Sequence, residues 1–516
     1  MGKINGKEVI ILVLCLILGF TLRYYRFDQK SLWVDEVHTF NESSDGFKGQ
    51  IRYYEENPTS LHPPLFFILT HLFYPFKYPE RDLRIIPLIF GTLSVPMIYF
   101  LSKSFSPTIA FPCALSLAFM TYHISLSQDG RSYSFLMFVG MAALYFFMKH
   151  LRTLKRGFLF PVSFCFAVLF HTSYSSVPFI AISQMLWFYR PGEGSLKPAF
   201  SSFFILNGFF LLLCAPWLLL ILCNYKGKIL LDSFASQSTG TFPSILVGIF
   251  NDWAPHGPLM IASALLLSVF PVFSKDKRNA FCLLMIFILP VGGVYLVCRL
   301  FTIEHFFNSR YFITVLPVFL VALYLSVYSI EVKWKRVLKT LRLTYVFLIF
   351  FIASSTILLP IYYRAEKQNF RGLVSYLNEH LANGDKIYLR SPAYYPGILH
   401  YFGIKPESRH YNTPYGWNEA INTFEYKVAL ANQNRRFSIY HSAVCCAHYV
   451  EDGSRLWVVV GKPTIKEIKE STRFVLKGYF DGNVSSFRKF PEDASFYLFL
   501  WDPKSPAEKG MDMPMD

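Results

Sequence analysis

The sequence predicts a polytopic α-helical membrane protein of about 11 spans with a C-terminal extracytoplasmic α/β domain. Three observations predict it. The 516-residue chain is only 16% charged and 53% hydrophobic, whereas a soluble domain carries roughly a quarter charged residues. Apolar runs close to the ~20 residues that cross a bilayer recur up to residue 361. Beyond residue 362 that pattern stops, and a polar stretch with short strand-like runs begins.

The expected spans run roughly over 8–25, 85–102, 107–126, 131–148, 157–171, 174–189, 200–223, 257–273, 280–300, 312–330 and 343–361. The first follows Lys3 and Lys7 like a signal peptide, but Thr21-Leu22-Arg23-Tyr24-Tyr25 offers no small-residue cleavage site. It is therefore expected to be an uncleaved anchor. Residues 63–76 (PPLFFILTHLFYPF) are too short to span comfortably and open on two prolines, so they are expected to lie on or dip into the membrane face. Leaving them out of the count puts three basic loops on one side: Lys149 to Arg156, Lys275 to Arg278, and Lys333 to Arg342. The positive-inside rule makes that side cytoplasmic, together with the N-terminus, and the expected location is the cytoplasmic (inner) membrane. The net charge of +16 is thus topological, and a nucleic-acid partner is not expected. Low charge also excludes a disordered chain.

The expected domains are 1–362, a transmembrane catalytic domain with 26–84 as its first outer loop, and 363–516, an extracytoplasmic α/β domain. The latter opens with a helix over 369–381 and a turn at Asn383-Gly384-Asp385. Strands are expected at KIYL (386–389), RLWVVV (455–460) and SFYLFL (495–500). Residues 224–256 are expected to form an outer loop. Seven of the nine cysteines lie in apolar runs and read as small core residues. Cys445 and Cys446 are adjacent and carry no metal or redox pattern. No internal repeat is visible.

Four outer segments carry residues capable of chemistry. In SLWVDEVHTF (31–40), Asp35 and Glu36 are adjacent carboxylates near the membrane face. They are either a solvated loop pair or a site for a proton, a cation or a polar ligand. In LHPPLFF (61–67), the double proline fixes an extended entry, and His62 either serves the site or is incidental. In SQDGRSYSF (127–135), Asp129 and Arg131 sit at the start of a span beside Tyr133. Arg131 can snorkel to headgroups or clamp a phosphate. In EHFFNSRYFITVLP (304–317), Glu304, His305 and Arg310 form either a second cationic centre or an interfacial aromatic–basic girdle. Taken together, the set suits group transfer from a lipid phosphate. A carboxylate can act as general base, and arginines can stabilise a leaving phosphate. No GxxxxGK[ST] or GxGxxG loop occurs, so no nucleotide fold is indicated.

These residues resemble the GT-C glycosyltransferases, in particular the bacterial branch similar to protein O-mannosyltransferases and the lipid A aminoarabinose transferase. The resemblance rests on LWVDE, HPPL, ERDLRIIPLIFGTLSVPMIYFLS (80–102), QDGRSY, RYFITVLP and NFRGLVSYLNEHLANGDKIYL, in order over most of residues 1–390. It implies a polyprenyl-phosphate-sugar donor, a protein, lipid or glycan acceptor, and inverting transfer on the outer face. It implies Asp35 as base or acceptor-positioning carboxylate with Glu36 beside it, and His62 in the juxtamembrane segment beside the cavity. Arg131 and Arg310 become the donor-phosphate candidates, with Asp129, Tyr133 and His305 as further substrate-binding candidates. The turn departs from the family's usual QEARMY-like string at Asp129 and Gly130. No cofactor and no metal site is predicted; members differ in metal dependence, so the resemblance is compatible with a divalent cation. A transporter or lipid flippase is the alternative. It would place ionisable groups at midplane in broken helices, often in repeated halves, and the expected spans are almost free of internal charge. A non-enzymatic assembly protein would leave the outer carboxylate–arginine set unexplained.

Overall fold

The computed structural model describes residues 6–56, 62–191, 198–224, 240–300, 308–338, 340–404, 415–418, 423–432, 435–442, 453–462, 465, 468, 474–484 and 492–504. The chain divides into two compact units. The first is built from residues up to Asp28 and from Ser43–Tyr362; the second comprises Gln29–Glu42, Tyr363–Val484 and the described residues from 492 onward. The short segment bearing Asp35 and Glu36 therefore groups with the C-terminal residues rather than with its chain neighbours.

Among the described residues, six helices are long and apolar enough to cross a membrane: Pro79–Lys103, Tyr133–Thr153, Phe200–Cys223, Lys277–Leu300, Ser309–Lys333 and Leu343–Arg364. Two further pairs meet the same test across a bend. Pro107–Phe119 and Thr121–Ser127 meet at 62°, and Phe242–Trp253 and Gly257–Phe273 at 114°. The chain is a multi-pass membrane protein; among the described residues there are six such helices, or up to eight candidate spans if each bent pair is one. Phe200, Leu222 and Ile349 are 77%, 71% and 69% exposed. Apolar side chains this open belong against lipid rather than water.

The other expected spans differ. Gly6–Tyr24 is a 19-residue helix, but Lys7, Glu8 and Arg23 interrupt its apolar run. The fifth is a 14-residue helix, Leu159–Thr172. The sixth, expected over 174–189, is not one helix. It breaks into Tyr174–Ser176, Val177–Ser183 and Gln184–Phe188, the outer two of which are 3-10 turns. The Ser173 side chain accepts from the Ser175 backbone N–H, and the Ser176 hydroxyl donates to the Ser173 carbonyl; local bonds of this kind compete with the helix ladder. Nor is 224–256 a plain loop, since Phe242–Trp253 is helical. Its start is held by a reciprocal cap between Thr241 and Ser244. His256, at the 114° bend, has φ +72°, an uncommon backbone state for a residue with a Cβ. The segment 63–76 contributes only the seven-residue helix Leu65–His71, about 10 Å long and far too short to span. Of the seven apolar-run cysteines, six are buried and Cys223 is exposed; Cys445 and Cys446 lie outside the described residues.

Arg23, the residue that spoils the cleavage site, is fully buried. The bend at Met120 frees the last carbonyls of Pro107–Phe119, and Arg23 collects them. Its guanidinium donates to Ala118 O (3.1 Å) and Leu117 O (2.9 Å) and meets His123 Nδ1 at 2.7 Å and Ser127 Oγ at 3.2 Å. A buried charge is tolerable only when bonded in this way. Gly91 makes room for the arrangement: a Cβ there would stand 2.1 Å from Ser127 Oγ. Gly91→Ala is expected to destabilise the protein by about 1–3 kcal/mol through overpacking. The readout is a lower Tm in detergent, largely restored by Ser127→Gly; an unchanged Tm would show the contact to be soft.

In the second unit, nine strands are described: β1 Lys386–Leu389, β2 Tyr415–Asn418, β3 Thr423–Asn432, β4 Arg435–Ser442, β5 Leu456–Gly461, β6 Val475–Phe480, β7 Asn483–Val484, β8 Glu492–Asp493 and β9 Phe496–Trp501. Seven form a sheet in the order β2-β3-β4-β1-β5-β9-β6, with β1 parallel to β4 and β5 and the remaining pairs antiparallel. Gly384, at φ +90°, turns the chain into β1. The helices Phe370–His380 and Tyr395–Phe402 bury Phe370, Leu373, Ile398 and Leu399 on one face of the sheet, against Ile387, Trp457 and Phe496. The other face holds a second cluster around Tyr388, Val458 and Phe499. β5 is buried along its whole length, which explains why LWVVV reads as an unbroken apolar run.

Candidate functional site

In the first unit, residues from three distant stretches of chain meet. Arg131 lies in the turn before the helix Tyr133–Thr153, and its backbone N–H closes that turn on Asp129 O at 2.6 Å. Its side chain is buried, not snorkelled: the residue is 8% exposed. One guanidinium nitrogen lies 3.2 Å from His62 Nε2. A guanidinium can only donate, so His62 Nε2 accepts, which makes the imidazole neutral with its proton on Nδ1. The His62 carbonyl in turn accepts from the Tyr54 hydroxyl, and Phe67 stands edge-on to the ring at 6.5 Å. HPPL thus holds a histidine against an arginine 69 positions away.

Arg310 arrives from the 3-10 turn Ser309–Val315. Asn308 caps that turn, its side chain accepting from Arg310 N at 3.1 Å. The guanidinium of Arg310 lies 5.6 Å from the Tyr133 ring centroid and 5.5 Å from that of Tyr311, within the range of cation–π attraction. Arg310, Tyr133 and Asp129 are all buried. The three expected segments 62, 129–133 and 310 are therefore linked by the pairs His62–Arg131 and Tyr133–Arg310. His305 and Glu304 lie outside the described residues.

Four polar residues that the sequence does not single out support the turns bearing Arg310 and Arg131. Asp252 is buried at the end of Phe242–Trp253 and accepts from the Ser309 hydroxyl. With its own proton given to Asp252, Ser309 Oγ accepts a hydrogen bond from the Tyr122 hydroxyl at 2.6 Å. A carboxylate, a serine and a tyrosine thus fix the turn that presents Arg310. Gln128, the first residue of QDGRSY, is a structural tie. Its amide nitrogen donates to Arg23 O and Tyr25 O, each at 2.8 Å, and its carbonyl accepts from Tyr362 OH at 2.8 Å. These contacts account for a Gln at the head of the turn: its planar amide gives two N–H bonds and accepts a third.

In the second unit, Asp35 and Glu36 open the helix Val34–Ser43, where the helix dipole favours a carboxylate. Their surroundings differ. Glu36 is fully buried and pairs with Lys367, Oε1 to Nζ, at 2.8 Å. Its other oxygen accepts from Trp33 N at 3.3 Å, reaching back over the first turn. Asp35 is half-buried, and its carbonyl accepts from the Thr39 hydroxyl at 3.2 Å. Among the described residues no three His, Cys, Asp or Glu side chains gather as a metal site.

No family model matches the chain, and no curated protein does. Solved structures match its fold. ArnT from Cupriavidus metallidurans in the apo state aligns over 98% of this chain and 99% of its own, with a TM-score of 0.51 at 10% identity. The same protein bound to undecaprenyl phosphate aligns over 96% of this chain and 98% of its own, with a TM-score of 0.50 at 11% identity. An Archaeoglobus fulgidus oligosaccharyltransferase tethered with an acceptor peptide covers 88% of this chain and 69% of its own, with a TM-score of 0.48 at 11% identity.

Proposed function

From the GT-C fold that the chain shares with these structures, we propose that it is a membrane glycosyltransferase moving a sugar from a polyprenyl-phosphate donor to an extracytoplasmic acceptor, with inversion. The observation that carries the reading is the meeting of Arg131 with His62 and of Arg310 with Tyr133, all buried or half-buried, from stretches far apart in sequence. Guanidinium groups held in this way suit a phosphate, which they bind through paired N–H donors. ArnT bound to undecaprenyl phosphate supports the same donor class.

An acceptor oxygen or nitrogen forms a bond to the anomeric carbon as that carbon's bond to the phosphate oxygen breaks. Asp35 takes the acceptor's proton, and the electron pair leaves on the polyprenyl phosphate. Arg131 and Arg310 stabilise the charge gathering there. Attack opposite the leaving group inverts the anomeric centre. The acceptor is a protein, lipid or glycan; the N-terminus is cytoplasmic, and the residues after 362 face outward.

The test uses the full chain in nanodiscs with radiolabelled polyprenyl-phosphate sugars and membrane acceptors. Label moving to the acceptor with equimolar release of polyprenyl phosphate is the expected result. The two bent helix pairs and the buried Arg23 and Asp252 also suit a transporter, whose broken helices line its substrate path. Vesicle-sided movement of the labelled lipid with no covalent product would establish that reading and remove the transferase.

A further inference from the structure

Resting on that reading, we infer that Glu36 is not a reacting group, and that Glu36, Lys367, Gln368 and Tyr401 are positioning residues that clamp the segment presenting Asp35. Ser31–Trp33 has no ladder of its own, yet its backbone N–H groups and that of Val34, the first residue of the helix, are all taken by side chains. Ser31 N donates to Glu366 Oε2 at 2.6 Å and Leu32 N to Tyr401 OH at 2.7 Å. Trp33 N donates to Glu36 Oε2 at 3.3 Å and Val34 N to Gln368 Oε1 at 3.0 Å. Arg371 adds two more ties: its backbone N–H reaches Ser31 Oγ at 3.3 Å, and its guanidinium reaches Gln29 O at 3.1 Å. Apart from Glu36, the partners come from the short stretch 366–371 and from the helix Tyr395–Phe402, all in the second unit.

Backbone satisfied by side chains rather than by a sheet or helix ladder is held in one place without being part of a regular element. Glu36 joins the two halves of the clamp. One of its oxygens closes the start of the helix on Trp33, and the other meets Lys367, which is itself 4% exposed. A carboxylate buried and bonded at both oxygens has no role left as a proton acceptor, because protonation would break the pair. Its neighbour Asp35 lies on the same first turn, so the clamp fixes where the Asp35 carboxylate stands. Placement within about 0.5 Å is what a general base requires. The C-terminal unit then has a catalytic task of its own: it sets the base.

The experiment follows amide hydrogen exchange and single-turnover transfer in the full chain in nanodiscs. The variants are Lys367→Met, Tyr401→Phe and Lys367→Arg, with Glu36→Gln/Lys367→Met as the folding control. That control removes both charges but keeps an acceptor for Trp33 N–H. Lys367→Met and Tyr401→Phe are expected to speed exchange over residues 31–36 about tenfold, the loss expected from one hydrogen bond. Transfer is expected to fall at least about tenfold in kcat, with the donor KM held within about twofold, as for a misplaced base. Lys367→Arg restores both. Unchanged exchange, or wild-type kcat in both Lys367→Met and the double variant, would overturn the clamp. An active Asp35→Asn protein would instead retire the base proposed above, and the exchange data alone would then decide the clamp.

Discussion

Replacing Asp35 with asparagine is expected to lower the rate of sugar transfer by about 10²–10⁴, the contribution usual for a positioned general base. Asparagine keeps the size and one acceptor oxygen but cannot take a proton, so the helix Val34–Ser43 stays in place while the chemistry fails. Donor binding is expected to be unchanged, because the donor-phosphate candidates Arg131 and Arg310 belong to the other unit. Glu36→Gln is expected to behave differently. Glu36 is buried against Lys367, so its loss removes an ion pair and leaves an ammonium uncompensated. The result is reduced stability of the second unit and partial activity. Single-turnover measurements with saturating donor, together with thermal melts, separate the two outcomes. A well-folded Asp35→Asn protein with full transfer would remove Asp35 from the mechanism.

That contrast shows what the sequence could and could not convey. Adjacent acids at 35 and 36 are visible as a pair, which by itself reads as a solvated loop pair or as a site. Which of them is engaged depends on Lys367, 331 residues away, and no local pattern carries a pairing of that length. The same holds for His62 and Arg131. Alone, Arg131 reads sooner as a snorkelling side chain and His62 as readily incidental as functional; the contact between them is visible only in the fold. Long apolar runs transferred well. The span expected over 200–223 lies within the helix Phe200–Asn224, whereas that over 257–273 matches the helix Gly257–Phe273, which is one arm of a bent pair. There, length and hydropathy are themselves the physical determinant.

The break at Met120 is hidden in the sequence because its cause is tertiary. The bend at Met120 is held by Ser355, whose hydroxyl accepts from Thr121 N and whose carbonyl accepts the Thr121 hydroxyl. Arg23 and Arg84 were passed over for a related reason. Both are fully buried, whereas an arginine near a span end ordinarily reaches for water. Arg84 donates instead to Phe27 O at 2.9 Å. Asp252 follows a masking apolar run, FPSILVGIF, inside what reads as a connecting loop. The one available signal was that this run keeps helical periodicity after a Thr-x-x-Ser cap.

Arg131→Met is expected to reduce transfer by about 10²–10³, the scale of losing one preorganised group that stabilises developing charge. Methionine fills much of the same volume, so the turn closed by Arg131 N on Asp129 O can persist. What disappears is the donor fork beside His62. Arg131→Lys is expected to recover little, because an ammonium cannot keep the His62 contact and also address two phosphate oxygens in one plane. His62→Phe, which removes the acceptor but leaves the guanidinium, is expected to cost roughly tenfold, the value of one hydrogen bond. This ordering of Arg131→Met, Arg131→Lys and His62→Phe is specific to a phosphate-directed arginine held in place by a neutral histidine. A lipid-anchoring arginine would instead be rescued by lysine, since both snorkel equally well. Transfer assays on the three variants, normalised to folded protein in detergent, distinguish the cases, and full activity of Arg131→Lys would overturn the phosphate role.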